Sequence, residues 1–266
     1  MFLEYKKERD SIYYEVIEGN NKDTSFDAVI LLHSLGVDSR LWKYQKKVIA
    51  EISPKVVLVD SRGHGKSRVD SGIDREKWIE DIKYLCDTLT LKKVILCGIS
   101  MGGVQAIGFS IKYPEYVEGL ILADTFAKIP EQVEEKINLT AGIAKREGMG
   151  RYGSIYLDNT LSDSSYANKI REELNDAIIN MSVDDYYESA KACFTVDYEG
   201  RLQEIHVPTL VLIGEKDMKT PIALSQMIQT QIPNSILLTI PEGMHLSNVD
   251  NPTDFNRIVT GFIQML

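Results

Sequence analysis

Three observations predict a mostly parallel α/β sheet flanked by helices and interrupted by a helical cap. Short β-rich apolar runs recur along the chain with helix-periodic segments between them, which demands crossover connections and hence parallel strands. This rhythm breaks once, over residues 126–200, where strand-like runs vanish and tyrosine-bearing helical segments take over. With 266 residues and 44% hydrophobic content, the chain can bury one large core and still carry such an insertion. The expected organisation is a core of residues 1–125 and 201–266 with a cap of residues 126–200.

Taken in order, residues 2–5 and 12–17 flank a charged turn and read as an antiparallel hairpin at the sheet edge. Runs at 28–32 and 56–59 follow as buried strands. Trp78, Ile79, Ile82, Leu85, Cys86 and Leu89 then repeat at three- and four-residue intervals, placing one apolar helix face against the sheet. Further strands are expected at 94–97, 119–122, 209–213 and 236–240. The cap segment holds six tyrosines and fourteen acidic against eight basic residues. Most of the tyrosines are expected to pack cap helices together, the others to line a pocket, and the charge balance does not invite a highly anionic substrate.

A net charge of −9 disfavours nucleic acid and anionic membranes, whose phosphates would repel the chain. Cys86, Cys97 and Cys193 have no metal-like or redox-like spacing, which fits a reducing cytoplasm. The N-terminal residues lack the apolar core of a signal peptide, and no apolar stretch approaches ~20 residues. A cytoplasmic protein that acts on a small molecule is expected, with neither nucleic acid nor membrane as partner.

The chemistry starts at Gly98-Ile99-Ser100-Met101-Gly102, which joins the apolar run 94–97 to the helix-like segment 103–112. A serine between glycines at a strand-to-helix turn is lifted clear of the sheet, in a strained conformation suited to a nucleophile. A serine hydroxyl needs an imidazole to take its proton. In a doubly wound hydrolase the order is serine, carboxylate, histidine, each of the last two on a loop after a later strand. Of four histidines only His245 lies late enough. The acid belongs after the run 209–213, where Asp217 is preferred over Glu215 in the same turn and over Asp124 one strand earlier. Gly214-Glu215-Lys216-Asp217 lets the loop turn back toward the serine. Backbone N–H groups of Leu35 and Met101 are the expected oxyanion donors, each worth ~3 to 4 kcal/mol of transition-state stabilisation.

Other motifs read as structural. Gly65-Lys66-Ser67 has the end of a phosphate-binding loop, but Asp60 stands where that loop needs its first glycine, so nucleotide binding is rejected. Asp60 and Arg62 instead satisfy backbone groups of a tight loop, with His64 and His206 structural. His33, beside the oxyanion loop, is placed to hold its shape. No metal and no cofactor are expected.

His33-Ser34-Leu35-Gly36 with Trp42 six residues on, Asp60-x-Arg62-Gly63-His64-Gly65-x-Ser67, Gly98-Ile99-Ser100-Met101-Gly102-Gly103 and Gly243-Met244-His245-Leu246-Ser247-Asn248 together resemble the α/β-hydrolase superfamily. More narrowly they resemble its 3-oxoadipate enol-lactonase branch, from about residue 26 to the C-terminus. The resemblance implies Ser100 as nucleophile, Asp217 as acid, His245 as base, and Leu35 and Met101 as oxyanion donors. The chain departs from the branch in having His33 where those lactonases often carry Asn, and in a cap without tryptophan. The expected activity is cleavage of a small carboxylic ester or lactone through an acyl-serine. A carbon–carbon bond hydrolase of the same fold and a small-molecule receptor that retains the triad are the alternatives.

Overall fold

The computed structural model describes residues 1–4, 10–129 and 131–266, with side chains of the helix beginning at Glu131 described from residue 142. An eight-stranded sheet forms the centre, in the order β1-β2-β4-β3-β5-β6-β7-β8. Its strands are β1 (Phe2–Glu4), β2 (Ser11–Glu18), β3 (Ala28–Leu32), β4 (Lys55–Val59), β5 (Val94–Ile99), β6 (Val117–Ala123), β7 (Thr209–Gly214) and β8 (Ser235–Ile240). β1 pairs antiparallel with β2, and β2 with β4, while all pairs from β4 to β8 are parallel. The edge hairpin is therefore present, and its charged turn, residues 5–9, lies outside the described residues.

The parallel strands β3 and β5 are buried along their whole length because helices cover both faces. Those helices are α1 (Lys46–Ile52), α2 (Arg75–Thr88) and α3 (Met101–Lys112). α2 begins where the Asp74 carboxylate accepts the Lys77 N–H at 2.8 Å, and it buries Trp78, Ile79, Ile82, Leu85 and Cys86. Each side of the sheet carries its own apolar cluster, one around Trp42, Trp78 and Phe255 and the other around Ile30, Leu96 and Phe109.

Between β6 and β7 the chain leaves the sheet for α4 (Glu131–Asp158), α5 (Ser165–Ile179) and α6 (Val183–Phe194). α4 breaks at Gly148, whose φ of 85° only glycine adopts readily. Ser164 and Ser182 cap α5 and α6 by accepting the N–H of Ala167 and Asp185. Tyr152, Tyr156 and Tyr186 are buried among these helices, whereas Tyr166 and Tyr187 are exposed. The chain closes with α7 (Ile222–Gln231), the short α8 (Ser247–Asp250) and α9 (Pro252–Ile263). Among the described residues no helix is long and apolar enough to cross a membrane.

Candidate active site

Ser100 sits between β5 and α3 with φ 54° and ψ −116°, a conformation costing a side-chain-bearing residue about 1–3 kcal/mol. The flanking glycines make it attainable. A Cβ on Gly98 would overlap the carbonyl of Gly102, one on Gly102 would overlap the carbonyl of Leu32, and one on Gly103 would overlap the Thr125 side chain. The turn is held by Ser100 N–H donating to Ala123 O at 2.9 Å and by Thr125 Oγ1 donating to Ser100 O at 2.6 Å.

His245 lies 145 residues downstream, and its Nε2 is 3.0 Å from Ser100 Oγ. Its Nδ1 is 3.0 Å from Asp217 Oδ2. An ionised carboxylate only accepts, so the ring proton resides on Nδ1 and Nε2 is free to accept from the serine. Burial alone would raise the Asp217 carboxyl. The electrostatic pull and hydrogen bond of the His245 N–H, with donors from Thr220 Oγ1 and N–H, outweigh burial and hold it well below the ordinary carboxylate range. All three side chains are buried.

The two rival carboxylates stand elsewhere. Glu215 is exposed and accepts the N–H of Glu242 at 2.9 Å. Asp124, fully buried at the end of β6, accepts from Gly214 N–H at 2.7 Å through Oδ1 and from Ser247 N–H and Oγ through Oδ2. It thus ties the turn that carries Asp217 to the loop that carries His245. Burial, then the nearby Asp217 charge, pushes the Asp124 carboxyl well above its ordinary value.

Leu35 and Met101 have buried side chains, so only their backbones can serve a reacting group. Among the described residues no acceptor is bonded to either N–H. His33 orients the first of them. Ser61 N–H donates to His33 Nε2 at 2.9 Å, which leaves the ring proton on Nδ1, 2.8 Å from Ser34 O. Fixing that carbonyl turns the N–H of the same peptide, that of Leu35, to the opposite side. Burial keeps His33 neutral, lowering its pKa against the opposing pull of Asp60.

The Asp60 loop differs in part from its sequence reading. Asp60 does accept backbone N–H groups, of Ser39 at 3.0 Å and Lys66 at 2.8 Å. Arg62 chiefly binds carboxylates, Asp81 through two nitrogens at 2.8 Å and Asp10 at 2.7 Å, because both acids are buried beside it. His64 is buried with Nδ1 at Arg62 O, and His206 is exposed rather than structural.

Sequence reasoning missed Tyr156 and Lys219. Tyr156 Oη on α4 lies 3.1 Å from Ser34 Oγ in the loop after β3, and Lys219 Nζ sits 4.9 Å from the centre of the Tyr156 ring. Only the position of Lys219, two residues after Asp217, could have signalled it. The segment between α4 and α5 also grips the loop that carries His245, through Leu246 N–H to Thr160 O and through Ser162 N–H and Oγ to Asp250 Oδ1. Among the described residues no group of His, Cys, Asp and Glu is arranged to hold a metal.

The sequence profile described as the alpha/beta hydrolase fold matches residues 27–252. The chain is 31% identical over 240 residues to 3-oxoadipate enol-lactonase 2 of Acinetobacter baylyi, covering 87% of this chain and 86% of that one. It is 27% identical over 241 residues to 3-oxoadipate enol-lactonase 1 of the same organism, covering 90% and 89%. The crystal structure of the enol-lactonase from Burkholderia xenovorans superposes with a TM-score of 0.89 at 23% identity, covering 99% of this chain and all of that one, a likeness of fold.

Proposed function

We propose a serine-hydrolase reaction on one established premise: this chain belongs to the alpha/beta hydrolase fold family. Ser100 attacks the carbonyl carbon of a small carboxylic ester or lactone while His245 Nε2 accepts its proton. Asp217 stabilises the imidazolium and fixes the ring. The tetrahedral oxyanion is met by the N–H groups of Leu35 and Met101, the second at the positive end of α3. His245 then protonates the departing alkoxide or enolate, which leaves acyl-Ser100. Water, deprotonated by the same ring, releases the acid. For a lactone, acylation and ring opening are one step.

The observation that carries this reading is the unbroken relay Ser100–His245–Asp217, with 3.0 Å at both links. The enol-lactonase names of the relatives favour a lactone or enol-lactone over a plain ester. Residues 126–200 act as the cap that selects the substrate. Three free, buried cysteines suit a cytoplasmic setting.

The test is turnover of p-nitrophenyl acetate, followed by a panel of short-chain esters, simple lactones and enol-lactones. Many cycles per enzyme are expected, with loss of at least about a thousandfold in kcat for Ser100→Ala. A fluorophosphonate should label Ser100. Labelling at another residue, or only a few cycles with a ligand-dependent partner, would reject the hydrolase mechanism. Rates confined to plain esters would reject the lactone preference alone.

A further inference from the structure

His245 is the proposed base, and the chain on either side of it decides where its ring points. Neither flanking N–H bonds to the sheet: Met244 N–H donates to Asp250 Oδ2 at 2.8 Å, and Leu246 N–H to Thr160 O at 3.3 Å. Asp250 Oδ1 in turn accepts Ser162 N–H and Oγ, each at 2.8 Å. Both amides beside the base therefore lead to residues 160–162, between α4 and α5, one directly and the other through Asp250. Lys216 N–H to Gly243 O and Ser247 to Asp124 anchor the loop farther out, so Asp250 supplies the last tie before His245.

A carboxylate is a demanding group for such a joint. Asp250 is buried and makes no ion pair among the described residues. Burial pushes its carboxyl up, and the donors of Ser162 and Met244, with the more distant charge of Arg171, offset this only in part. Two acceptor oxygens on one group are nevertheless what the joint requires, because a donor waits on each side of it. Leu161, Leu246 and Val249 are buried here as well, so apolar packing would keep the two segments together without Asp250. Packing is non-directional, whereas three hydrogen bonds to one carboxylate fix how the segments are aligned. A cleft of about 700 Å³ beside the joint, lined by Ser162 and Asp163 on one side and Met244 and Asp250 on the other, leaves little else to fix it.

We propose that Asp250 is a positioning residue for His245, making the alignment of the base with Ser100 depend on residues 160–162 being docked against its loop. A shift of that segment passes through the carboxylate to Met244 N–H, one residue before the base, and draws Nε2 out of its 3.0 Å contact with Ser100 Oγ. Asp250 touches no reacting atom and acts only through the loop. The effect on rate rests on the serine-hydrolase reading, but the linkage itself does not.

Two measurements test it. The first is kinetic, at a temperature where every protein compared is folded. Asp250→Asn keeps the volume but turns one acceptor into a donor, leaving an N–H of Met244 or of Ser162 opposite an amide NH2. On p-nitrophenyl acetate its kcat should fall about tenfold or more with KM within about twofold, and fluorophosphonate labelling of Ser100 should slow in parallel. Ser162→Ala removes one donor from the far side of the joint and should slow both about threefold, with no further loss when added to Asp250→Asn. Unchanged kcat and labelling in an Asp250→Asn protein that melts lower would assign Asp250 to stability alone. A rise in KM alone, or losses that multiply in the double variant, also overturns the proposal. Should Asp250→Asn not fold, Ser162→Ala carries this test, slower labelling supporting the proposal and unchanged labelling overturning it.

The second is amide hydrogen exchange read residue by residue in Ser100→Ala protein, with Asp250→Asn or Ser162→Ala added. The informative amide is Leu246, whose acceptor, Thr160 O, neither substitution touches. Its exchange should quicken about tenfold or more beyond any change at Leu96 in the core of β5. That result supports the linkage even if no ester is turned over, an outcome that would reject only the serine mechanism. An unchanged Leu246, or one that quickens only as much as Leu96, overturns the linkage.

Discussion

The His33 ring donates to the carbonyl oxygen of Ser34 at 2.8 Å, and in doing so decides which way the next N–H points. The imidazole is pinned from its other side by Ser61 N–H, so neither its tautomer nor its plane is free. A residue two places from Leu35 therefore controls one of the two proposed oxyanion donors.

His33→Leu should lower kcat on an ester substrate by about ten- to a hundredfold with KM within about twofold, because the donor is misdirected rather than deleted. Steady-state kinetics measure this. A rise in KM with kcat unchanged would place His33 in substrate binding instead.

Asp124 uses both carboxylate oxygens as acceptors, one for the turn that carries Asp217 and one for the loop that carries His245. Asp124→Asn replaces one acceptor by a donor facing Ser247 N–H. About a tenfold fall in kcat is expected, with the fluorophosphonate labelling rate falling in parallel. Unchanged labelling would show that the two loops hold their places without it.

Gly102→Ala forces a methyl group against the Leu32 carbonyl, which is backbone and cannot swing aside. Loss of about 2 kcal/mol or more of stability is expected in urea unfolding. Ala at Gly200, where nothing lies within 4 Å, serves as control and should change little.

Asp10 supplies an acid-range prediction. Burial would raise its carboxyl, but donors from Ser71, Asp70 N–H and Arg62 bring it from 3.8 down to about 2. A carboxyl depressed by folding stabilises the protein above its unfolded value, and that contribution is lost as pH falls from near 3.8 through about 2. The interval is worth about 2 kcal/mol. The stability gap between the native chain and Asp10→Asn should narrow by about that amount between about pH 5 and pH 2. A gap independent of pH would assign the cost of the substitution to packing.

Local signals carried much of the architecture. The run before Ser100 reads as a buried strand because its residues are apolar throughout, and β5 is buried from Val94 to Ile99. His245 was legible because chain order restricts which histidine can reach the serine. What local signals could not carry are pairings between distant residues whose types are common. Arg62 meets Asp10 across 52 positions, and Ser34 meets Tyr156 across 122. Nothing in a lone aspartate or tyrosine marks its partner, so the acid-lined bed of Arg62 and the contact of α4 with the loop after β3 emerge only from the folded chain.

The proposed nucleophile and base are 145 residues apart, and His245 rides on the loop after β8, the edge strand beside β7. Until that strand docks on β7, Ser100 is an alcohol without its proposed base, and its strained turn alone cannot take its proton. Loss of the β7–β8 pairing would thus leave the proposed site chemically silent, so its activity would report on the docking of one edge strand.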